Sequence, residues 1–203
     1  MPIDRYLLIL FVGLLYVLGF GGLSLLRQQG LSLRFAAEGL AITVIGTLMA
    51  RFSLPLSPIF FILVLYAVTM RVRLLVDLGN WLVSRGQPQR ALAVYRLALR
   101  MWPDLVGRQL VVINQGVARL RLREPEAAYQ ILEQALSRET VRVGAKYLAA
   151  GYYNLGLACR RTGREAEAIQ RFNQAVDVWP SSIYALAARK ALKERPAEPG
   201  QVL

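Results

Sequence analysis

The chain has 203 residues, 55% of them hydrophobic and 19% charged, with a formal net charge of +12 and a mean hydropathy of +0.38. That is too apolar for an ordinary water-soluble domain, so part of the chain is expected to sit in lipid. With no His and one Cys, the sequence excludes imidazole acid–base catalysis, zinc-type sites and an internal disulfide, and it is compatible with a reducing compartment.

Tyr6 to Leu26 carries no charge over 21 residues, enough for a helix to cross a hydrocarbon core of about 30 Å. This predicts a transmembrane helix over 6–26. A cleaved signal peptide is the competing reading, but its basic region would be a lone Arg5 beside Asp4, and no A-x-A-like site comes after the apolar run. After a polar turn from Arg27 to Arg34, a second apolar run spans 35–50, interrupted only by Glu38. Glu38 lies one helical turn after Arg34, so the two are expected to pair at the membrane interface. Gly39, Thr43, Gly46 and Ala50 share one face of this helix, a stripe of small residues that lets another helix pack closely in lipid. The expected partner is the first helix, with Gly13, Gly19, Gly21 and Gly22.

Ser53 to Pro58 breaks the second helix, and Ser57-Pro58 reads as a cap with Pro in the first turn of a third apolar helix over 57–71. From Pro58 no residue interrupts a helix until Gly79, so this helix is expected to run unbroken as far as Arg85 and to couple the anchor rigidly to the C-terminal part of the chain. A single shallow hairpin made by the second and third runs is the alternative to three spans. With three spans, Arg27, Arg34, Arg71, Arg73, Arg85 and Arg90 fall on the C-terminal side of the membrane and only Arg5 and Arg51 on the other. This asymmetry predicts a multi-pass protein of the inner or plasma membrane whose C-terminal part is cytoplasmic.

Residues 1–73 hold six Arg against two acids, and residues 74–203 nineteen Lys plus Arg against eleven acids. Both parts are basic. A solvated surface with lipid-facing anchors accounts for such a surplus, and contact with anionic lipid or an acidic partner is the other reading. The basic residues are scattered and form no recognised nucleic-acid-binding motif, so no nucleic acid is expected as a partner.

The C-terminal part is periodic. From Gly156, Gly163 lies 7 residues on, Ala168 12, Phe172 16, Ala175 19 and Pro180 24; from Gly79 the same offsets reach Gly86, Ala91, Tyr95, Ala98 and Pro103. A degenerate copy from Gly116 keeps Ala128 and Ala135 but has Arg123, Leu132 and Thr140 at the other places. This pattern resembles the tetratricopeptide repeat (TPR), in which the small residues let two antiparallel helices approach and the aromatic fills the gap between them. The origins are 37 and 40 residues apart, longer than the family's repeat of about 34, so the joints at Asp104 to Arg108 and Thr140 to Lys146 are slightly long. The resemblance implies an all-α chain: membrane helices, then a solenoid over 72–194 with repeats at about 72–105, 109–142 and 149–182. A capping helix over 181–194 presents Ile183, Tyr184, Ala187, Ala188, Ala191 and Leu192 on one side and Arg189, Lys190 and Lys193 on the other. Residues 195–203 read as a disordered tail. Cys159, three residues after Gly156, reads as a small buried apolar residue.

TPR arrays commonly bind a peptide or helix along the concave face made by the first helix of each repeat. By that resemblance the groove would present Val76, Asp77, Asn80, Ile113, Asn114, Val117, Tyr153, Asn154, Leu157 and Arg160. Its Val, Ile and Leu residues equally suit packing against a neighbouring repeat or the capping helix. Co-chaperone TPR domains are similar in having three repeats and a cap, and they grip a C-terminal carboxylate with two Asn and several cations. Asn80 and Asn114 match the asparagines, but Val76, Ala150 and Asn154 stand where that clamp has cations.

No glycine-rich phosphate loop, no nucleophile beside a base and no cluster of acids spaced for a metal is present, so neither an enzyme nor a cofactor is expected. The expected function is a membrane-anchored scaffold or assembly factor that holds another protein. The alternative is a structural subunit of a larger membrane complex, held through its apolar helices. Homo-oligomerisation stays open.

Overall fold

A computed structural model of the chain describes residues 4–26, 33–52, 56–137 and 144–194. Most of the expected polar turn, the first half of the 53–58 breaker, most of the second joint and the tail lie outside these residues. The described residues form α-helices and turns, gathered in two compact units, Met1–Leu74 and Leu75–Leu203.

The first unit contains α1 (Arg5–Leu26), α2 (Leu33–Arg51) and α3 (Pro58–Thr69). Close approach at small residues brings α1 and α2 together. Thr43, 1% exposed, sits so close to Gly13 that a Cβ there would lie 2.3 Å from the Thr43 hydroxyl oxygen, and a Cβ at Gly39 would lie 2.7 Å from Val17. Gly46 meets Phe61 of α3 in the same way, and Ala50 packs on the cluster formed by Ile9, Tyr16, Val17, Phe61 and Leu65. All four residues of the stripe are therefore at helix contacts. Of the first helix's glycines, Gly13 takes part, whereas Gly19 and Gly22 face open space.

Polar groups inside this bundle are paired, as an apolar surrounding demands. The Thr43 hydroxyl donates to the Gly39 carbonyl at 2.7 Å. Thr69 donates to the Leu65 carbonyl, which leaves its oxygen to accept from Tyr16 at 2.7 Å, a link between α1 and α3. Ser57 takes the N-cap position of α3 with Pro58 in the first turn, but its side chain makes no capping hydrogen bond.

The expected Arg34–Glu38 pair is present at 2.8 Å, and a second cation joins it: Arg71 donates to both carboxylate oxygens of Glu38, at 2.6 and 2.9 Å. The same arginine donates to the Val68 carbonyl at 2.6 Å. Here the chain departs from the expected unbroken helix. Helix α3 stops at Thr69, Met70 has φ −99° and ψ 8°, and α4 (Arg71–Ser84) starts after a bend of 73°. No local breaker causes this. Arg71 is turned back onto Glu38, 33 residues earlier in the chain, a contact invisible to local periodicity.

The second unit stacks helix pairs. These are α4 with α5 (Pro88–Arg100), α6 (Leu105–Arg121) with α7 (Pro125–Leu136), and α8 (Ala145–Arg161) with α9 (Glu165–Val178), with α10 (Ile183–Lys193) after the last pair. Each pair is closed by the same contact. A Cβ at Gly79 would lie 2.2 Å from Tyr95, at Gly116 2.4 Å from Leu132, and at Gly156 2.6 Å from Phe172. The degenerate middle copy is thus a true repeat in which Leu132 replaces the ring. Gly86 and Gly163 turn the chain with φ 71° and 78°, and Arg123 adopts φ 60° at the matching place. Pro88 and Pro125 open their helices at the first turn, and Asp104 and Ser182 cap α6 and α10 by accepting from the Gly107 and Ala185 amides.

Leu132, Leu155, Cys159 and Phe172 join in one core with Ala188 and Ala191 of α10. Cys159 is wholly buried, and burial pushes its thiol up to about 11. The capping helix turns Tyr184, Ala187, Ala188, Ala191 and Leu192 inward and Arg189, Lys190 and Lys193 outward as expected, and departs from expectation at Ile183 and Ala185. Ala185, Ala188 and Ala191 are buried, while Ile183 is 75% exposed. The small alanines sit inward because α10 lies close against α8 and α9, and the bulky Ile183 stays outside.

Two substitutions read these contacts. Gly156→Leu drives a side chain into Phe172 and should cost about 1 to 3 kcal/mol or more. Arg123→Gly removes a left-handed strain of about 1–2 kcal/mol against about 0.4–1 for the freer unfolded chain, a net gain of about 0.5–1 kcal/mol. Denaturant unfolding of the detergent-solubilised chain checks both signs.

Candidate functional site

The face expected to bind is carried by the first helices α4, α6 and α8. Local packing separates its ten residues into two sets. Val76 and Ile113 are each 2% exposed, and Ile113 lies in the core beside Leu132 and Leu155. They pack the solenoid and offer no surface, which is the alternative already open for the apolar positions. Val117, Tyr153 and Leu157 are half-buried, with Tyr153 and Leu157 resting on the core. Tyr153 stands between the rings of Phe172, 6.0 Å away, and Tyr184 of α10, 6.2 Å away.

The amides are oriented by internal hydrogen bonds. Asn80 accepts the Tyr95 hydroxyl on its side-chain oxygen at 2.7 Å, so its NH2 group is the end left to solvent. Tyr95 itself is fully buried, and burial raises its phenol far above the ordinary range. Asn114 and Asn154 are set the other way. Each donates its NH2 to a carbonyl one turn back, Leu110 and Ala150, at 2.8 Å. Their oxygens remain as acceptors. The face thus carries the NH2 of Asn80, two free amide oxygens and the second N–H of Asn114 and of Asn154, spaced along successive repeats.

Its charges are Asp77 and Arg160. Asp77 is exposed and has no ion-pair partner among the described residues. Arg160 is engaged: it binds Glu165 with a shortest contact of 2.8 Å, donates to the Ala191 carbonyl at 2.9 Å, and lies 4.9 Å above the Phe172 ring. This arginine ties α8 to the capping helix, a role that residue spacing did not signal because Ala191 is 31 positions away. Nor does any local pattern single out Gln109, buried in α6, which donates to the Ala135 carbonyl at 2.9 Å.

Among the described residues no three His, Cys, Asp or Glu side chains come together as a metal site. What the face can do chemically is pair with peptide-like donors and acceptors beside half-buried apolar groups. It has no unengaged cation for an anion.

Comparison with protein families agrees with this architecture. Residues 74–106 and 109–181, together more than half of the chain, match family models of the tetratricopeptide repeat. A search of the curated proteins found no match. The helix pairs closed at Gly79, Gly116 and Gly156 are those repeats, and the chain belongs to the tetratricopeptide repeat family, built as a scaffold for protein interaction.

Proposed function

We propose that this protein is a membrane-anchored scaffold or assembly factor whose repeats hold another protein at the cytoplasmic membrane face. The observation that carries the anchor is the outward side of the N-terminal helices. Phe11 is 61% exposed, Leu18 69%, Ile45 57% and Leu48 52%, on two helices long and apolar enough to cross a bilayer. Such surfaces are unfavourable in water and well solvated by hydrocarbon. Lipid is their natural solvent.

The charges at the bundle's ends support the orientation. Arg34 and Arg71 share Glu38 at one end, and Arg51 lies 5.8 Å above the Tyr6 ring at the other. The chain leaves the bundle at the end holding Arg34, Arg71 and Arg73, and the positive-inside tendency assigns that end to the cytoplasm. Helix α3 has 12 residues, a reach of about 18 Å against about 30 Å for the hydrocarbon core. It exposes Ile59, Phe60 and Leu63. A short apolar helix of this kind also suits burial against another membrane subunit, which keeps the second reading: a structural subunit of a larger complex.

For the groove, we propose Asp77, Asn80, Asn114, Val117, Tyr153, Asn154 and Leu157 as the contact residues for an extended or helical segment of a partner. A C-terminal carboxylate of the chaperone type is disfavoured. Asn114 and Asn154 each spend one amide N–H on their own helix, Arg160 is engaged, and Asp77 repels an anion. Anionic lipid remains a further partner for the basic surplus.

Two measurements test this reading. A membrane-impermeant thiol reagent on intact cells should leave Pro196→Cys unlabelled until the membrane is opened. Buried Cys159 gives little background, and strong labelling of intact cells would reverse the orientation. Titration calorimetry of the full chain in detergent with an acidic chaperone-type C-terminal peptide should show no low-micromolar binding; affinity that disappears on amidating the peptide's carboxylate would restore the clamp.

A further inference from the structure

The joints between successive repeats are built differently on the side lined by the second helices. Between α7 and α9 the joint is closed by matched charges. Arg164 pairs with Glu126 at 2.9 Å and Arg171 with Glu133 at 3.0 Å, while Tyr129 donates to Glu167 at 3.1 Å. The Arg164 guanidinium also lies 4.2 Å above the Tyr129 ring and holds the Glu126 carboxyl below the usual carboxylate range.

One repeat earlier, the same places hold other chemistry. Gln89, Leu92 and Arg96 on α5 correspond to Glu126, Tyr129 and Glu133, each 10, 13 or 17 residues after its repeat glycine. Glu124, Ala127 and Ile131 correspond to Arg164, Glu167 and Arg171 in the same way. Arg96 therefore faces the position of Ile131, and among the described residues it has no ion-pair partner. Instead of a closed seam there is a cavity of about 140 Å³, lined by Gln89, Leu92, Arg96, Gln115, Arg119 and Ile131. Arg119 pairs with Glu124 through one nitrogen, but its Nε is buried without a hydrogen-bond partner. A buried donor left unpaired is destabilising; the Nε of Arg171 in the charge-closed joint shares that condition, but Arg119 is the one that lines the cavity.

We infer that this cleft is a second recognition site, separate from the groove, and that it takes a carboxylate. At 100° per residue, Gln115 and Arg119 lie on the opposite side of α6 from Val117. Two guanidinium groups against the single carboxylate of Glu124 leave one positive charge to be balanced. That suits one carboxylate group entering the cleft, with any second acid group of the ligand left outside it, and Glu124 would repel the concentrated charge of a phosphate dianion. Leu92 and Ile131 give apolar walls for a short methylene stem, and Gln89 and Gln115 add amide donors. The carboxylate comes from a Glu or Asp side chain of a bound protein or from a free dicarboxylate.

The test is nuclear magnetic resonance of the full chain in detergent micelles with ¹⁵N-labelled Arg and Gln. The probes are the end-capped peptide Ala-Glu-Ala, its Ala-Gln-Ala counterpart, and glutarate. The Arg119 Nε–H signal should shift saturably with the Glu peptide and stay in place with the Gln peptide. A glutarate response equal to the peptide's identifies a free dicarboxylate as the source, and a response confined to the peptide identifies a protein side chain. Arg96→Glu combined with Ile131→Arg installs the charge pair of the other joint. It should keep or raise the melting temperature and weaken binding by about tenfold or more. Arg96→Gln alone, which keeps the fold by a milder change, should weaken it as well. No saturable shift with any carboxylate probe, or a shift that persists unchanged in both variants, overturns the proposal.

Discussion

Every repeat of this protein depends on a glycine in the first helix meeting a large side chain of the second, sixteen residues later. Gly79 with Tyr95, Gly116 with Leu132 and Gly156 with Phe172 are three copies of one contact. Without a Cβ on the first helix, the partner ring or isobutyl group lies directly against its backbone and sets the separation of the two helices. Once that separation is fixed, geometry dictates the turns at Gly86, Arg123 and Gly163 and the alanines at the crossing. The contact tolerates Leu in place of an aromatic ring because it needs bulk on one side and its absence on the other.

The N-terminal helices use the same device: their association rests on close packing and internal hydrogen bonds. Thr43 against Gly13 and Gly46 against Phe61 supply the first, and the Tyr16–Thr69 link the second. Glu38 gathers Arg34 and Arg71 at one end of the bundle, where two cations satisfy the carboxylate's oxygens. The bend after Thr69 coincides with that pairing and with no helix-breaking residue.

Polar side chains in the solenoid divide between holding and offering. Arg160, Arg164 and Arg171 are engaged by neighbouring elements of the fold, which gives the third repeat and the capping helix a network of ion pairs. The second repeat joins that network through Glu126 and Glu133 of α7, whereas no ion pair among the described residues links α5 to α7, where Arg96 stands opposite Ile131.

The amino-acid sequence by itself determined the helices and the repeat register, because glycine, alanine and bulky residues at fixed offsets are local signals of helix packing. The apolar character of the first two helices and the small-residue stripe from Gly39 to Ala50 were legible for the same reason. Tertiary structure decided the rest. It decided that Val76 and Ile113 are core, that Arg160 reaches Ala191, and that Ala185 rather than Ile183 faces inward on the cap. It also decided that the helix ends at Thr69, beside the contact of Arg71 with Glu38, and that Asn114 and Asn154 each turn a donor onto their own helix. Each depends on a partner distant in the chain or on a rotamer, and a hydrophobic period encodes neither.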